Sequence, residues 1–265
     1  MKPQTQLKTT TRQAAELASV QKTLANLEWF EEMARIKLKR LSRVVRLPDR
    51  PMVLDLGASS GSGIVGWQRA GCDCVGVEPF AEALANARIV SEKLGIPICI
   101  KEGVAEKLPF AEESFDLVSA QSVMEHVDDI NQVVSEVYRV LRPSGVFYFN
   151  CASAMCPRQD EIDGFPLFGW YPNRVKLRIM DWAKVHRPAL VGYTEHPAIN
   201  WLTTRQARKM LIQHGFRRIW DRWDLRCLDE GGRVYGMLLR TIRCSRLTKF
   251  MADVLVSDSG WAAMK

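Results

Sequence analysis

The stretch Val53–Gly63, VLDLGASSGSG, joins an apolar run to a turn built from glycine, alanine and serine. The apolar run predicts a buried β-strand, and a turn of small residues lets the backbone approach a ligand closely. The ligand of such a turn could be a nucleoside triphosphate, a nicotinamide dinucleotide, or a molecule of another class. The spacing of the residues that follow distinguishes these classes.

The first two classes do not fit the spacing. A triphosphate-binding loop needs G-x-x-x-x-G-K-[ST], and Gly61 and Gly66 are spaced in that way, but Trp67 stands where the lysine is required. The dinucleotide fingerprint G-x-G-x-x-G is matched in letters by Gly61, Gly63 and Gly66. Its first glycine belongs in the turn directly after the strand. The strand is predicted to end near Leu56, so the later glycines fall inside the next helix.

A better register is Asp55-x-Gly57-x-Ser59-x-Gly61, which places an acid at the end of the strand. A carboxylate there would repel a phosphate but attract an amino group or a sulfonium. Glu78 ends the next predicted strand about 20 residues after Gly57, where an acid can accept both hydroxyls of a ribose. The two acids therefore predict a nucleoside with a positively charged tail, and S-adenosylmethionine meets that description.

The composition is that of an ordinary globular protein. Of the 265 residues, 47% are hydrophobic and 25% are charged, and no window approaches the roughly 18 consecutive apolar residues of a membrane span. The polar N-terminal segment and the seven scattered cysteines lead us to expect a cytoplasmic protein, and no C-x-x-C spacing indicates zinc. The net charge of +7 permits an anionic partner but does not require one.

Apolar periodicity divides the chain into segments. Residues 11–46 carry apolar side chains at helical spacing and have a basic second half, which predicts a helix ended by Pro48. Strand and helix patterns then alternate, which predicts βαβ units and a parallel sheet covered on both faces. Residues 154–200 break the alternation with five prolines and six aromatic residues, and we interpret them as an insertion at the ligand edge of the sheet.

The predicted elements after the first helix are strand 52–58, helix 63–71, strand 73–80, helix 81–95, strand 97–103, strand 115–123, helix 130–145 and strand 146–153, and beyond the insertion helix 203–216, strand 217–223, a basic helical stretch 237–255 and an apolar run 260–264.

Residues 52–153 resemble the core of a class I S-adenosylmethionine-dependent methyltransferase of the small-molecule type, the group that includes the ubiquinone and menaquinone methyltransferases. The resemblance is carried by the first turn and by the motifs LPF, SFD, EHV followed by an acid, and LRPSG between Lys101 and Asn150. It implies an α/β, Rossmann-like sheet of seven mostly parallel strands with helices on both faces and an antiparallel last strand.

The apolar periodicity and the resemblance together predict a domain organisation. It comprises an N-terminal helical cap (1–47) and a methyltransferase domain (48–265) that contains a core (52–153), an acceptor-side insertion after strand five (154–200), and strands six and seven within 216–265, separated by a helical insertion (233–255).

The resemblance further implies a site for S-adenosylmethionine. The methionine end would lie against Asp55 and the backbone of the turn, the ribose against Glu78, and the adenine against Pro79 or Phe80; Gln121 would face the methionine moiety. The complete set of implied cofactor residues is Asp55, Gly57, Ala58, Ser59, Gly61, Glu78, Pro79, Val104, Ala105 and Gln121.

Two positions depart from the family pattern. Ser59 stands where glycine is usual, which is a small and tolerable change. Val104 stands where many relatives have an aspartate that hydrogen-bonds the adenine amino group. We therefore expect the cofactor to bind more weakly by about 0.5–1.5 kcal/mol, the net contribution of one ordinary hydrogen bond.

Two histidines are candidates for a general base, because a hydroxyl acceptor must lose its proton during methyl transfer. His126, in MEHVDD, follows strand four near the expected methyl group, and we place it slightly ahead of His196, in YTEHPAINWLT. The alternative for each is a capping or packing role. His186 and His214 receive no role. No cluster of carboxylates and histidines has metal-ligand spacing, so no metal is predicted.

The insertion should set the acceptor, because the core serves only the cofactor. Its aromatic residues favour a hydroxyl of a sugar-bearing, aromatic or lipid-linked metabolite, unless they build only the insertion's own core. The alternatives are N- or C-methylation of a small molecule, RNA methylation, for which no RNA-binding module is present, and cofactor binding without turnover. The basic amphipathic stretches 11–46 and 233–255 also predict a weak contact with an anionic membrane surface.

Overall fold

The computed structural model describes residues 20–21, 23–192 and 196–265. In that part of the chain, seven strands form one sheet in the order β3-β2-β1-β4-β5-β7-β6, in which only the two pairings of β7 are antiparallel. The strands are β1 (Met52–Leu56), β2 (Asp73–Glu78), β3 (Ile100–Glu102), β4 (Phe115–Ala120), β5 (Leu141–Ala152), β6 (Arg218–Asp221) and β7 (Asp258–Met264). The predicted Rossmann-like sheet with its antiparallel last strand is confirmed.

Helices cover both faces of this sheet. They are α1 (Leu27–Leu41), α2 (Ser62–Arg69), α3 (Ala81–Leu94), α4 (Ile130–Val140), α5 (Asn173–His186), α6 (Thr204–Gln213), α7 (Arg222–Leu225), α8 (Arg233–Arg243) and α9 (Arg246–Asp253), with 3₁₀ turns at Phe168–Trp170 and Pro188–Val191. Among the described residues, no helix combines the length and the apolar composition that crossing a bilayer requires.

The alternation of side chains along each strand divides the core into two layers. In β1, Val53 packs with residues of α1 and α2, whereas Leu54 packs with residues of α4 and α6. Successive strand residues point to opposite faces, and a parallel strand covered on both faces is therefore apolar throughout. The near-continuous apolar strands thus follow from burial on two sides.

The first helix is shorter than predicted. Of the stretch 11–46, residues 11–19 and 22 lie outside the described residues, as do the first 19 residues of the proposed cap. A turn at Asn26 precedes α1, and the helix ends at Leu41. There the backbone N–H of Ser42 still donates to Leu38, and its hydroxyl donates to the carbonyl of Lys39, which closes the helix.

Two strand boundaries differ from the prediction because side chains form hydrogen bonds with backbone groups that would otherwise pair with a neighbouring strand. β3 begins at Ile100 rather than at residue 97, because the Pro97 carbonyl accepts from Gln68 and the Ile98 N–H donates to Ser91. β4 ends at residue 120 rather than 123, because the residue at 122 has a φ of +54° and donates its N–H to a side chain of β5.

Two predicted helices also end early. Helix 130–145 stops at Val140, and β5 begins directly after it, because Pro143 has no N–H to donate to a helix. The basic stretch 237–255 is interrupted at Ser245, whose side chain caps α9 through the N–H of Thr248. The result is a pair of helices, α8 and α9, which we call the α8–α9 hairpin.

The insertion 154–200 has a small core of its own. Phe168 and Trp201 are buried in it together with Met180 of α5 and Ala152 at the end of β5. Phe168 and its neighbours therefore build the insertion itself, as one of the two interpretations of its aromatic residues predicts. Tyr193, another of them, lies outside the described residues.

Candidate functional site

The turn after β1 folds back over the end of β2. The N–H groups of Gly57 and Ala58 both donate to the Val77 carbonyl, at 3.0 and 3.1 Å. Gly57 has a φ of +66°, and a Cβ there would lie 2.6 Å from Cγ2 of Val123, so a side chain has neither the conformation nor the space that it needs. Ser59 adopts a left-handed φ of +48° as well. The turn thus brings backbone against the carboxyl edge of the sheet.

Glu78 connects this turn to β2. Its side chain is only 4% exposed, Oε2 accepts the N–H of Ser59 at 2.9 Å, and Oε1 accepts the N–H of Phe80 at 3.2 Å. A carboxylate has about four lone-pair positions, so each oxygen can still accept one further hydrogen bond. Glu78 therefore fixes the turn and keeps acceptor capacity for a ligand.

Asp55 is buried at the end of β1 and faces a lysine from α1. Burial raises the pKa of Asp55 to about 6, while the ammonium of Lys37 and a hydrogen bond from Trp67 act against that rise. Burial lowers the pKa of Lys37 to about 8, against the attraction of Asp55. The Lys37 Nζ lies 5.4 Å from the ring centroid of Trp67 and 6.0 Å from that of Tyr148. Both groups are predominantly charged at pH 7, so a carboxylate and an ammonium of opposite charge face the site together.

Three adjoining cavities open at this edge of the sheet. Cavity A has a volume of about 480 Å³, cavity B of about 520 Å³ and cavity C of about 180 Å³. Gly57 and Ser59 line both A and B, whereas Met33, Lys37 and Gln121 line both B and C. The three cavities therefore follow one another along the sheet edge, from β2 past β1 to β5 and β7.

Nine of the ten predicted cofactor residues line cavity A or cavity B. Cavity A has Gly57, Ser59, Glu78, Pro79, Val104 and Ala105 in its wall, and cavity B has Asp55, Gly57, Ala58, Ser59 and Gln121. Gly61 lines neither of them. It is the N-cap of α2, with a φ of +83°, and its N–H donates to the Ala58 carbonyl. Gly61 therefore shapes the turn and does not line either cavity.

Both candidate histidines line cavity A. Burial lowers the pKa of His126 below its ordinary value, while hydrogen bonds with the backbone of His196 and Pro197 act in the opposite direction. Burial therefore favours the neutral form of the His126 imidazole. The ring of His196 stacks on Phe80, with centroids 4.6 Å apart. His186 and His214 line none of the three cavities.

A buried polar cluster next to His126 escaped the sequence analysis. Burial raises the pKa of Glu125 to about 7, and the nearby Glu161 carboxylate raises it further, while a backbone hydrogen bond lowers it. Oε2 of Glu125 and Oε2 of Glu161 have no hydrogen-bond partner in the described part of the chain. Lys176, 1% exposed, lies with its Nζ 4.3 Å from the ring centroid of Trp201. The cluster joins the end of β4 to the insertion.

The residues that sequence reasoning missed carry weak signals. Lys37 is one of several cations in a basic helix, and nothing in the periodicity marks it as the one that faces the site. Glu125 stands beside His126 in the EHV motif, but its burial depends on how the insertion packs. In the ranges that the structure describes, no group of three or more histidine, cysteine or carboxylate side chains could hold a metal ion.

The comparisons with known proteins point to one family. Residues 54–149 match the family described as a methyltransferase domain. A demethylmenaquinone methyltransferase of Lactobacillus johnsonii is 28% identical over 139 residues, which are 51% of this chain and 53% of that protein. A ubiquinone biosynthesis O-methyltransferase of Azorhizobium caulinodans is 32% identical over 94 residues, 36% of this chain and 37% of that protein. The matches thus span about half or less of these relatives.

A solved structure extends the likeness of fold beyond the matched residues. Phosphoethanolamine N-methyltransferase 2 of Haemonchus contortus, in complex with S-adenosyl-L-methionine, superposes with a TM-score of 0.55 at 18% identity. The superposition covers 86% of this chain and 52% of that one. The similarity therefore includes elements on both sides of residues 54–149.

Proposed function

Since residues 54–149 form a methyltransferase domain of the class I, S-adenosylmethionine-dependent type, we propose that the chain transfers the cofactor's methyl group to a hydroxyl of a small-molecule acceptor. The observation that carries the proposal is the left-handed turn between two buried acids, Asp55 and Glu78, with cavities A and B meeting at Gly57. When bound, the cofactor supplies a methyl group already activated on a sulfonium.

Cavity A fits an adenosine. Glu78 has two oxygens with capacity left for two ribose hydroxyls. Phe80 and Val104 line the cavity and are 45% and 46% exposed, so they offer apolar surface to a flat base. Val104 offers no hydrogen bond to an adenine amino group, which is consistent with the departure noted in the sequence.

Cavity B fits the amino-acid end of the cofactor. It holds one buried carboxylate, Asp55, and one ammonium, Lys37, and an amino acid carries the complementary pair of charges. We assign the cofactor ammonium to Asp55 and the cofactor carboxylate to Lys37. A nucleotide polyphosphate would place several negative charges beside Asp55, so this cavity disfavours ATP and NAD.

The acceptor reaches the site from the edge above β4 and β5, where His126, Glu125 and the insertion 154–200 meet. The chain's own contribution there is alignment and exclusion of water, together with removal of the acceptor's proton. His126 remains the first candidate for that proton, because its neutral imidazole lines cavity A. His196 follows, because stacking on Phe80 already engages its ring.

The domain organisation belongs to the same proposal. In this proposal the described part of the cap, with helix α1, supplies Lys37, residues 52–153 hold the cofactor, and the insertion 154–200 selects the acceptor. Methylation of a hydroxyl oxygen is favoured because a relative is named as an O-methyltransferase of ubiquinone biosynthesis. Methylation of nitrogen or carbon is the alternative if no hydroxyl acceptor is turned over.

Calorimetry and turnover test this function. Titration with S-adenosylhomocysteine should give one binding site, and ATP and NAD should give no heat of binding at the same concentration. Turnover is followed as S-adenosylhomocysteine formed from S-adenosylmethionine with a panel of catechols, phenols, glycosides and amines. Binding of ATP or NAD without binding of S-adenosylhomocysteine would overturn the assignment of the cofactor. Turnover of amines alone would move the acceptor from oxygen to nitrogen.

A further inference from the structure

The α8–α9 hairpin presents an apolar stripe to solvent on each of its helices. On α8 the stripe is Val234, Met237 and Leu238, and on α9 and just beyond it is Leu247, Phe250, Met251 and Leu255; these seven side chains are between 49% and 80% exposed. Their i, i+3, i+4 spacing places each set on one helical face. Soluble monomers rarely leave a contiguous apolar surface of this kind without a partner.

The opposite face of the hairpin packs against the rest of the protein. Leu239 of α8 and Ala252 of α9 are buried with Trp223 of α7 in a separate hydrophobic cluster. Arg243 donates to backbone carbonyls of the α7 segment, and Lys249 pairs with Asp221 at 2.9 Å. The inner face therefore fixes the hairpin, and the outer stripe needs a different explanation.

The charge of the hairpin is mainly positive. Residues 233–253 have five cations and one acid, Asp253, whose carboxylate accepts a hydrogen bond on the inner face. Arg233 and Arg240 are the i−4 and i+3 neighbours of Met237, and Arg246 is the i−4 neighbour of Phe250, so cations border both stripes. These three arginines have no ion-pair partner in the ranges described. Apolar side chains bordered by free arginines are the pattern of an interfacial helix on an anionic bilayer.

The hairpin lies at the same edge of the sheet as the three cavities. It connects the carboxyl end of β6 to the start of β7 at Asp258, and Asp258 lines cavity C. The hydroxyl of Tyr235 on α8 donates to Glu230, which pairs with Arg40, another residue of cavity C. A surface bound to the hairpin would therefore lie beside the site rather than behind the sheet.

We propose that the outer face of the α8–α9 hairpin docks the protein on an anionic lipid surface, with the two apolar stripes inserted among the acyl chains and the three arginines at the headgroups. The proposal does not include α1, the other stretch with a predicted membrane contact, because Ala34 and Leu41 pack against the sheet side. It concerns a surface and does not depend on which acceptor is methylated.

Vesicle flotation tests the docking face. The full chain is mixed with vesicles of phosphatidylcholine and phosphatidylserine (7:3), or of phosphatidylcholine alone, at low salt and at 0.5 M NaCl. We expect flotation with the anionic vesicles at low salt, at least fivefold less at high salt, and at least tenfold less for Phe250→Glu and for Leu238→Glu. Ile212→Glu, at an exposed apolar position on α6, is the matched control and should float as the wild type does.

Two further readouts keep the outcomes distinct. Each variant should bind S-adenosylhomocysteine as the wild type does, which shows that its cofactor site is intact and separates docking from the proposed function. Sedimentation velocity should give a monomer for the wild type. Equal flotation of all variants, or no flotation of the wild type, would overturn the proposal. A dimer that Phe250→Glu dissociates, without binding to vesicles, would overturn it in favour of a second copy of the chain.

Discussion

Replacing Glu78 by glutamine should weaken the binding of S-adenosylhomocysteine about 10- to 150-fold. The carboxylate already accepts the N–H groups of Ser59 and Phe80, and we assign its remaining lone pairs to the ribose hydroxyls. The amide has one acceptor oxygen, so its nitrogen must face a donor. Loss of a hydrogen bond to a charged group costs about 1.5–3 kcal/mol, and 1.4 kcal/mol corresponds to about a tenfold change in affinity.

The same substitution should also lower the free energy of unfolding, because one buried N–H loses its acceptor. Removal of one partner from a buried hydrogen bond costs about 1–3 kcal/mol. Urea unfolding therefore accompanies the calorimetry, and binding is measured where the variant is folded. Glu102→Gln is the matched control, because Glu102 lies opposite Glu78 in the register of β3, is exposed and lines none of the three cavities.

The assay is isothermal titration with S-adenosylhomocysteine at pH 7.5. We expect an unchanged affinity for Glu102→Gln and the stated loss for Glu78→Gln, as the assignment of Glu78 to the ribose requires. Wild-type affinity in folded Glu78→Gln protein would refute it, because the carboxylate would then serve only to fix the turn.

Three other changes test separate parts of the site. Lys37→Met should weaken the binding of S-adenosylhomocysteine about tenfold and leave the binding of 5′-methylthioadenosine, which lacks the amino-acid end, unchanged. Lys93→Met, on exposed surface, should change the affinity for neither ligand. Equal losses for both ligands would refute the assignment of the cofactor carboxylate to Lys37. In urea titrations, the unfolding free energy of Asp55→Asn relative to the wild type should rise by about 1 kcal/mol between pH 5 and pH 7.5. The reason is that the folded protein raises the pKa of the Asp55 carboxyl to about 6, so the wild type loses stability as the pH rises from the carboxyl's pKa in the unfolded chain through 6. A stability difference that does not change with pH would contradict this prediction. His126→Ala should lower turnover by roughly 10²- to 10⁴-fold without a change in cofactor affinity, and His196→Ala should mainly raise the acceptor's KM. Near-wild-type turnover in both variants would show that neither histidine is the general base.

The grouping of these candidate residues at one edge of the sheet was predictable, because its signals are local. An apolar strand, a turn of small residues and an acid at a fixed distance place Asp55, Gly57 and Glu78 together through the βαβ geometry alone. Alternating strand and helix patterns likewise predict the sheet, since periodicity reports burial directly. Strand and helix ends were less predictable, because individual side chains decide them, as Ser91 does at β3.

The cap and acceptor sides depend on contacts between distant segments. Lys37 faces cavity B because α1 packs closely on α2 at Gly66, where a Cβ would lie 2.6 Å from the Phe30 carbonyl oxygen. The sequence shows the glycine but not which helix approaches it. Glu125 is buried where the insertion meets the end of β4, and Ile199 donates its N–H to the Glu125 carbonyl at 2.7 Å. No local pattern encodes such a contact.

A crystal structure of the full chain with S-adenosylhomocysteine tests the central claim most directly. If the claim holds, the adenosine lies in cavity A, with both ribose hydroxyls within hydrogen-bond distance of Glu78, and the amino-acid end lies in cavity B, between Asp55 and Lys37. Electron density for the ligand outside these cavities, or with its amino-acid end turned away from cavity B, would contradict it.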